Sequence, residues 1–202
     1  DDRIYGKIDL GYKIIEGLTA QARLGGDFTN SRMKRWNEKH DYSPDSWSYA
    51  GDKNSLPGTY SEQYSKNEEL DATFMLKADY KLGEDISLGG VVGYNVNQRT
   101  YQYLYSYLYG LNSPGWFSLE NGADKPQTTS YSQRRRLMGI FAQADFSYKN
   151  YLFLTATARN DWSSTLPIDT NSFFYWGVNS AFVVPDALDL KNSPISFMKL
   201  RL

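Results

Sequence analysis

The stretch that decides the fold is LMGIFAQADFSYKNYLFLTATARNDW, residues 137–162. Between 138 and 148 the even-numbered residues are apolar, and most of the odd-numbered ones, such as Gln143 and Asp145, are polar or small. The same alternation returns from Leu152 onward. A period of two is typical of a β-strand with one apolar and one polar face, whereas a helix needs spacings of three and four. The polar pair Lys149-Asn150 suits a tight turn. The stretch therefore predicts a long β-hairpin.

The same alternation recurs along the rest of the chain. It predicts further strands near 4–12, 18–24, 70–80, 86–99 and 175–184, and the start of another at 198–202. Between the strands, short turns alternate with mostly long irregular stretches near 29–67, 100–133 and 163–172. We therefore predict an all-β chain of seven strands and part of an eighth, with antiparallel neighbours.

Composition narrows the function classes. A net charge of -1 gives no reason to expect a nucleic-acid partner, and the absence of cysteine excludes disulfides and thiolate metal sites. No run of 18 apolar residues exists that would suit a transmembrane helix. A polar mean hydropathy does not exclude a membrane protein, because the strands of a transmembrane barrel carry their apolar residues only at every second position.

Strand length and loop pattern favour a transmembrane β-barrel. The predicted strands have about 10 to 13 residues, against about 5 to 6 in soluble proteins, and about 9 to 11 tilted residues cross a bilayer. Short turns on one side and long loops on the other are typical of outer-membrane barrels. Tyr12, Tyr80 and Tyr148 each lie on the apolar face before a short turn, as in an interfacial aromatic girdle. A large soluble β-sandwich is the alternative.

One motif carries a family resemblance. The run YLFLTATARNDWSSTLP at 151–167, with FYW at 174–176 and ISFMKLR at 195–201, resembles the SusC-like (SusC/RagA) branch of TonB-dependent outer-membrane transporters. The resemblance is specific over 138–202, and over 1–137 only the pattern of strands and loops matches. It implies that residues 1–202 are part of a 22-stranded transmembrane barrel in the outer membrane, with the plug domain outside this sequence.

The resemblance also implies a function and partners. Members of the family import large nutrients, either oligosaccharides and other glycans or peptides. A SusD-like surface lipoprotein lids the barrel, and the TonB complex supplies energy through the missing N-terminal part. Outer-membrane lipid and lipopolysaccharide surround the wall, and Arg134, Arg135 and Arg136 could contact lipopolysaccharide phosphates. A basic strand end facing solvent is the simpler interpretation of these arginines.

Aromatic residues in the predicted external loops are candidates for binding a ligand or the lid. Five tyrosines occupy every second position from 101 to 109, so an outward continuation of the strand would place them all on the lumen-facing side. Aromatic rings can stack on sugars or peptide side chains, and tyrosine is also enriched at protein interfaces. The full candidate set is Tyr101, Tyr103, Tyr105, Tyr107, Tyr109, Trp36, Trp47 and Trp116.

A second set is predicted to face the lumen or the plug. Phe141, Tyr151 and Phe153 are large residues on the polar face of the hairpin, and exposure to water costs roughly 1.5 to 3 kcal/mol for each such side chain. We therefore expect them to contact the plug; packing on strand neighbours around an open channel is the alternative. Arg159 and Asp161 lie on the same face, where they would bond each other, neighbouring strands or the plug.

No catalytic set, metal site or cofactor site is predicted. The single histidine, His40, falls in a polar loop, and the spacing of Asp41, Asp45 and Asp52 matches no calcium loop. An outer-membrane enzyme would need a serine or aspartate paired with histidine, so we predict that the chain is not an enzyme. A passive porin or an adhesin barrel fits the strands equally well, and only the motif at 159–167 favours active import.

Overall fold

A computed structural model describes residues 1–45, 55–149, 151–187 and 198–202. Eight strands form one antiparallel sheet in the order β1-β2-β5-β6-β7-β8-β9-β10. Their bounds are β1 Asp2–Ile15, β2 Leu18–Asn37, β5 Thr59–Leu82, β6 Ile86–Tyr109, β7 Gln127–Tyr148, β8 Leu152–Ser163, β9 Ser172–Val183 and β10 Lys199–Arg201. A separate two-stranded ladder joins β3 (His40–Asp41) to β4 (Ser55–Leu56).

Within the described part of the chain, helical structure is limited to two short segments. A 3-10 helix, Ile168–Thr170, lies in the connection between β8 and β9, and the helix α1, Val184–Ala187, follows β9. In the described ranges, no helix has the length and apolar character needed to cross a membrane.

The register of the central hairpin confirms the two predicted faces. Ala142 pairs with Ala158, and Phe146 pairs with Leu154, so the apolar residues of β7 and β8 share one side of the sheet. Asp145 pairs with Thr155 on the opposite side, where Thr155 donates a hydrogen bond to the Asp145 carboxylate at 2.7 Å. Directly paired residues of an antiparallel ladder project to the same face. The alternation therefore determines which side chains meet across the strands.

The turn of this hairpin is longer than predicted. Tyr148 pairs with Leu152, so the connection comprises residues 149–151 rather than the pair Lys149-Asn150. Lys149 adopts φ +48, and the Tyr151 N–H donates to the Tyr148 carbonyl at 3.2 Å. Tyr151 thus lies in the turn rather than in the β7–β8 ladder, and its carbonyl accepts the Val183 N–H at 2.8 Å. Asn150 lies outside the described residues.

The strands extend well into the ranges predicted as irregular. β2 continues to Asn37, β5 begins at Thr59, β6 continues to Tyr109, and β7 begins at Gln127. The predicted stretches 29–67 and 100–133 are therefore too wide, and the connection between β8 and β9 comprises residues 164–171. The added segments of β2, β5 and β7 are mostly polar on both faces, so they lack the alternation of polarity on which the prediction depended. The added segment of β6 keeps an alternation, in the row of tyrosines from 101 to 109.

Contacts divide the chain into two compact units. Unit 1 comprises residues 1–4, 27–68 and 99–134, and unit 2 comprises 5–26, 69–98 and 135–202. Unit 1 contains a buried apolar cluster of Tyr60, Leu108 and Leu111, against which Phe117 and Leu119 pack.

Unit 2 exposes its apolar side chains. Ile140 on β7 is 52% exposed, Val92 on β6 60% and Leu10 on β1 61%. The polar face is the better covered one, since Phe141, Gln143 and the residues beside them are half-buried. A soluble sheet buries its apolar face, and contiguous exposed apolar areas above a few hundred Å² mark a contact surface. The exposed apolar face of unit 2 is therefore a contact surface, of the kind that binds lipid or another protein.

The sheet geometry predicts the behaviour of residues 1–202 expressed alone. β1 and β10 end the order of the sheet, so each presents an edge of backbone groups beside the exposed apolar face. Open edges promote aggregation, and lipid cannot satisfy unpaired backbone groups. We expect the isolated fragment to aggregate in detergent, as measured by size-exclusion chromatography with light scattering. A stable folded monomer would contradict this expectation.

Candidate functional site

The five-tyrosine row lies on the last part of β6, within unit 1. Tyr103 stacks on Tyr131 of β7, with ring centroids 5.6 Å apart and an interplanar angle of 25°. Tyr101 contacts both rings, at 6.0 Å from Tyr103 and 6.3 Å from Tyr131. The odd-numbered face of β6 therefore carries a three-ring aromatic cluster. Aromatic pairs at such separations stabilise one another by about 0.5 to 1.5 kcal/mol beyond the area that they bury.

Two further tyrosines of the row line a polar groove. Tyr105 and Tyr107 border a cavity of about 520 Å³, together with Arg35, Trp36, Asn37, Thr59 and Ser61. The Asn37 amide donates to the Thr59 hydroxyl at 2.9 Å across β2 and β5. Aromatic faces beside a guanidinium, an amide and hydroxyls can stack on a ring or chain and hydrogen-bond to its polar groups. This groove, which we call the tyrosine groove, is the candidate ligand site of unit 1.

The other predicted loop aromatics differ in their surroundings. Trp36 contacts Phe117, with ring centroids 5.3 Å apart, whereas Trp116 is 50% exposed and Tyr109 is 62% exposed. Trp47 lies outside the described residues. The structure thus brings Trp36, Tyr105 and Tyr107 together, places Tyr101 and Tyr103 in the three-ring cluster, and leaves Trp116 and Tyr109 at the surface.

The connection that carries Trp116 has a defined conformation. Asn121 is buried, its amide donates to the carbonyls of Ser113 and Trp116, and its side-chain oxygen accepts the Ser113 N–H at 2.9 Å. The Gly115 N–H donates to the Glu38 carboxylate at 2.8 Å. Leu111 and Leu108 fill the space beneath this connection, and a β-carbon at Gly122 would overlap Leu108. The exposed aromatic residues therefore project from an anchored base.

A charged cluster lies on the even-numbered face of the same unit. The carboxylate of Glu62 accepts hydrogen bonds from the Tyr60 hydroxyl and from Arg32, at 3.2 Å, and forms an ion pair with Lys34 at 3.3 Å. The hydrogen bond from Tyr60, followed by those from the two cations, lowers the pKa of Glu62 to about 2. Arg32 also lies over the ring of Tyr64, 5.0 Å from its centroid.

The Glu62 cluster predicts an acid-dependent loosening of unit 1. Because the folded-state pKa lies below the ordinary value of 4.5, the stabilisation is complete above about pH 4.5 and is lost as the pH falls to about 2. Pepsin cleavage of the full-length protein within 110–126 should rise over this window. Relative to pepsin cleavage of an unstructured peptide at the same pH, this rise should be smaller in Glu62→Gln than in wild type, whereas Glu120→Gln, at an exposed position, should behave as wild type. Equal acid response in both variants would contradict the assignment.

A second cluster lies on the polar face of unit 2. Arg159 forms an ion pair with Asp161, with Nε and Nη2 each 2.8 Å from Oδ1, and Tyr175 donates to the other carboxylate oxygen at 2.7 Å. The Arg159 guanidinium also lies 5.7 Å from the ring centroid of Phe141, within cation–π range. The predicted residues Phe141, Arg159 and Asp161 are therefore brought together, and the structure adds Tyr175.

Phe141 packs on its strand neighbour. Its ring covers Gly93 of β6 so closely that a β-carbon at Gly93 would overlap it. The ring of Phe141 is thus in contact with the neighbouring strand β6. Phe153 lies beneath Lys199, whose ammonium is 5.4 Å from the ring centroid.

Tyr151 has a different environment from the one predicted. Its ring meets Tyr148 and Phe182 edge to face, at 5.6 and 5.7 Å. Both partners lie on the apolar face, since Tyr148 and Phe182 each pair with Leu152. The prediction that Tyr151 faces the lumen is therefore corrected: the third turn residue turns its ring toward the apolar side.

Several of these residues carry no local signal in the sequence. Gly93, Tyr131, Tyr175 and Glu62 become part of the clusters only through pairing with distant strands. The parity of Tyr131 and Tyr175 could have placed them on the polar face, but not beside Tyr103 or Asp161, because the register between strands is not visible in either strand alone.

The contact of Phe141 with Gly93 predicts a sharp response to substitution. Gly93→Ala in the full-length protein should displace the ring and destabilise the barrel by about 1 to 3 kcal/mol, the usual cost of overpacking. Gly89→Ala, on the same strand and parity, should be neutral because its added carbon meets Asp145 at 3.4 Å, an ordinary contact. The temperature at which the faster-migrating folded band disappears from gels of unboiled samples measures the stability of both variants.

Removing the ring of Phe141 should relieve the overlap that Gly93→Ala creates. The double variant Gly93→Ala with Phe141→Ala should be less destabilised than the sum of the two single variants. Strict additivity would show that the contact is absent.

The fold and these side-chain clusters define a class: an antiparallel barrel-wall segment in which unit 2 has one exposed apolar face and one polar face linked by hydrogen bonds and ion pairs. The chain is similar in structure to the RagAB peptide transporter, with a TM-score of 0.80 and 17% sequence identity over 98% of this chain. The RagAB peptide importer in its closed-closed and open-open states gives TM-scores of 0.80 and 0.79 at the same identity and coverage.

These comparisons confirm the predicted fold class, an all-β antiparallel barrel segment, and the resemblance to RagA-type barrels at the level of the fold. No family model matches the chain, and no curated protein matches it. The chain spans 22% of the length of the RagAB chains.

Proposed function

We propose that the chain is a wall segment of a TonB-dependent outer-membrane transporter that actively imports large nutrients. The observation that carries the proposal is the exposed apolar face on long antiparallel strands, in a fold shared with the RagAB peptide transporter. A bilayer is the surrounding in which such a face is stable, and side-chain alternation then directs the polar face to the lumen. The neighbours are transporters, so the proposed role is not enzymatic.

The two sides of the membrane follow from the connections. The short turns, such as Glu16-Gly17 between β1 and β2, lie on the periplasmic side in this proposal, and the long connections after β2 and β6 lie outside the cell. Tyr12, Tyr80 and Tyr148 would then form part of the periplasmic aromatic girdle. The ring of Tyr80 already lies against the turn at Gly17, and the ammonium of Lys149 lies 5.4 Å from the ring centroid of Tyr148.

The tyrosine groove is the proposed contact for substrate or lid. It would face the barrel mouth, where its rings and polar groups suit either a peptide or a glycan. The RagAB neighbours are described as peptide importers, which favours peptides for this chain. A SusD-like surface lipoprotein would cover the mouth, and exposed Trp116 and Tyr109 are candidates for its contact surface.

The plug and the energy supply complete the proposal. A plug domain would occupy the lumen beside the cluster of Phe141, Arg159 and Asp161, and TonB would act through the part of the protein outside this sequence. The ring of Phe141 already packs on Gly93 and contacts the Arg159 guanidinium. The cluster could therefore stiffen the wall and also contact the plug.

Site-directed spin labelling of the full-length protein in vesicles tests the placement. Oxygen concentrates in lipid, so collisions with oxygen should speed the spin relaxation of labels on the apolar face. Labels on the polar face should show little change in relaxation rate with oxygen. The apolar set is Leu76, Leu88, Ala142, Leu154 and Val178, and the polar set is Lys77, Asn95, Asp145 and Thr157. Mixed behaviour within either set would refute the membrane placement.

Energy dependence separates the transporter from its alternative, a passive porin or an adhesin barrel. Uptake of labelled peptides by cells that carry the full-length protein should stop on addition of a protonophore or on deletion of TonB. Uptake that persists under both conditions would identify a porin, and no uptake of peptides or glycans would favour an adhesin.

A further inference from the structure

A furrow crosses the apolar face of unit 2 and ends at an arginine. It has a volume of about 600 Å³, and its apolar lining is provided by Leu24, Leu70, Ala72, Tyr94, Val96 and Met138. Arg136 and Gln98 belong to the same furrow. Toward the long connection after β6, the furrow residues of β6 run Tyr94, Val96, Gln98, and those of β7 run Met138, Arg136. The polar pair is therefore at the end nearest the long connections.

Arg136 differs from other arginines of the chain in its partner. Arg3, Arg23, Arg32 and Arg159 each form an ion pair with a carboxylate. The guanidinium of Arg136 instead donates to the amide oxygen of Gln98, at 2.7 Å from Nη2 and 3.2 Å from Nε. An amide orients the guanidinium without neutralising its charge. Asp71, which also borders the furrow, accepts a hydrogen bond from Asn95 on the opposite face.

The backbone of Arg136 is held in place as well. Its N–H donates to the Ser164 hydroxyl at 2.8 Å, and its carbonyl accepts the Ser164 N–H at 2.9 Å. The Gln98 contact uses two of the five guanidinium N–H groups. A fixed, exposed cation with N–H groups to spare, at the end of an apolar furrow, matches a ligand with an anionic head and an acyl tail.

We propose that this furrow binds the lipid A part of lipopolysaccharide, with one phosphate at Arg136 and an acyl chain along Met138, Val96 and Ala72. The assignment rests on the proposed function, which places the long connections outside the cell and hence Arg136 at the outer leaflet. A phosphorylated, acylated glycolipid fits both features of the site: phosphate for the guanidinium and hydrocarbon for the furrow. Bound lipid would fix the wall beside the connection that begins at Ser164.

The test uses the full-length protein in maltoside micelles and bis-phosphorylated lipid A as the probe. Arg136→Gln should weaken binding roughly ten-fold, which corresponds to the loss of one charge-assisted hydrogen-bonded contact. Arg135→Gln is the matched control, because Arg135 is the next residue of β7 and alternation places it on the other face. The Arg135→Gln protein should bind lipid A as tightly as wild type does. Wild-type protein should bind dephosphorylated lipid A only weakly, with an affinity like that of Arg136→Gln for the bis-phosphorylated form.

A second variant tests the furrow itself. Ala72→Trp fills the apolar part and should also weaken binding while it leaves the Arg136 contact with Gln98 in place. Heat-modifiable migration confirms that each variant is folded. Wild-type binding by Arg136→Gln, or an equal loss in Arg135→Gln, would overturn the proposal. Equally tight binding of phosphatidylglycerol, lost in Arg136→Gln, would overturn the choice of lipid A and identify a general anionic-lipid site.

Spin labels on the apolar face separate the lipid A site from the membrane placement. If spin labels at Leu76 and Val178 report lipid but lipid A binding does not depend on Arg136, only the lipid site is refuted. If the labels report water, the membrane placement itself is refuted.

Discussion

Cross-strand backbone hydrogen bonding is the constraint on which the rest of this structure depends. In the membrane placement that we propose, the bilayer offers no partner for a free N–H or C=O group, so each spanning strand must pair with its neighbours along its whole length. The pairing of β7 with β8 is continuous from Leu137 to Tyr148, and that of β8 with β9 from Leu152 to Trp162. Once this ladder is set, alternation assigns every side chain to one of two faces, and the two faces can evolve different chemistry.

The two faces of unit 2 satisfy their surroundings in different ways. The apolar face presents exposed side chains such as Ile140 and Val178, which the proposed function places in lipid. On the polar face the side chains hydrogen-bond to one another. The Asp145 carboxylate accepts a hydrogen bond from Thr155, and the Asp161 carboxylate accepts hydrogen bonds from Arg159 and Tyr175. Such half-buried, hydrogen-bonded pairs cost less than free charges in a partly covered site. Phe141 fits among them because Gly93 leaves room for its ring.

Unit 1 gains its order from a different source. Tyr60, Leu108 and Leu111 form a small buried core under the connection after β6, and Asn121 satisfies the backbone groups of that connection. Loops fixed in this way can present side chains in defined positions. The three-ring tyrosine cluster and the tyrosine groove thus lie on strands and connections that are held by burial and hydrogen bonds.

The sequence by itself determined the class of the fold, the order of the strands along the chain and the face of most residues. These properties depend on a period of two, which each strand carries locally. The extent of the strands was underestimated near Asn37, Thr59 and Gln127, because polarity stops alternating there although pairing continues. It was underestimated near Tyr109 because the alternating tyrosines were assigned to an external loop. The turn after Tyr148 was one residue longer than predicted, which moved Tyr151 toward the apolar side.

Only the tertiary structure decided which distant residues meet. The contacts of Phe141 with Gly93, of Tyr103 with Tyr131 and of Arg136 with Gln98 each join two strands. Every one of them depends on the register between strands, and a shift of one residue would send each side chain to the opposite face. The sequence of one strand contains its own alternation but not its alignment with a neighbour, so the faces could be predicted and the clusters on them could not.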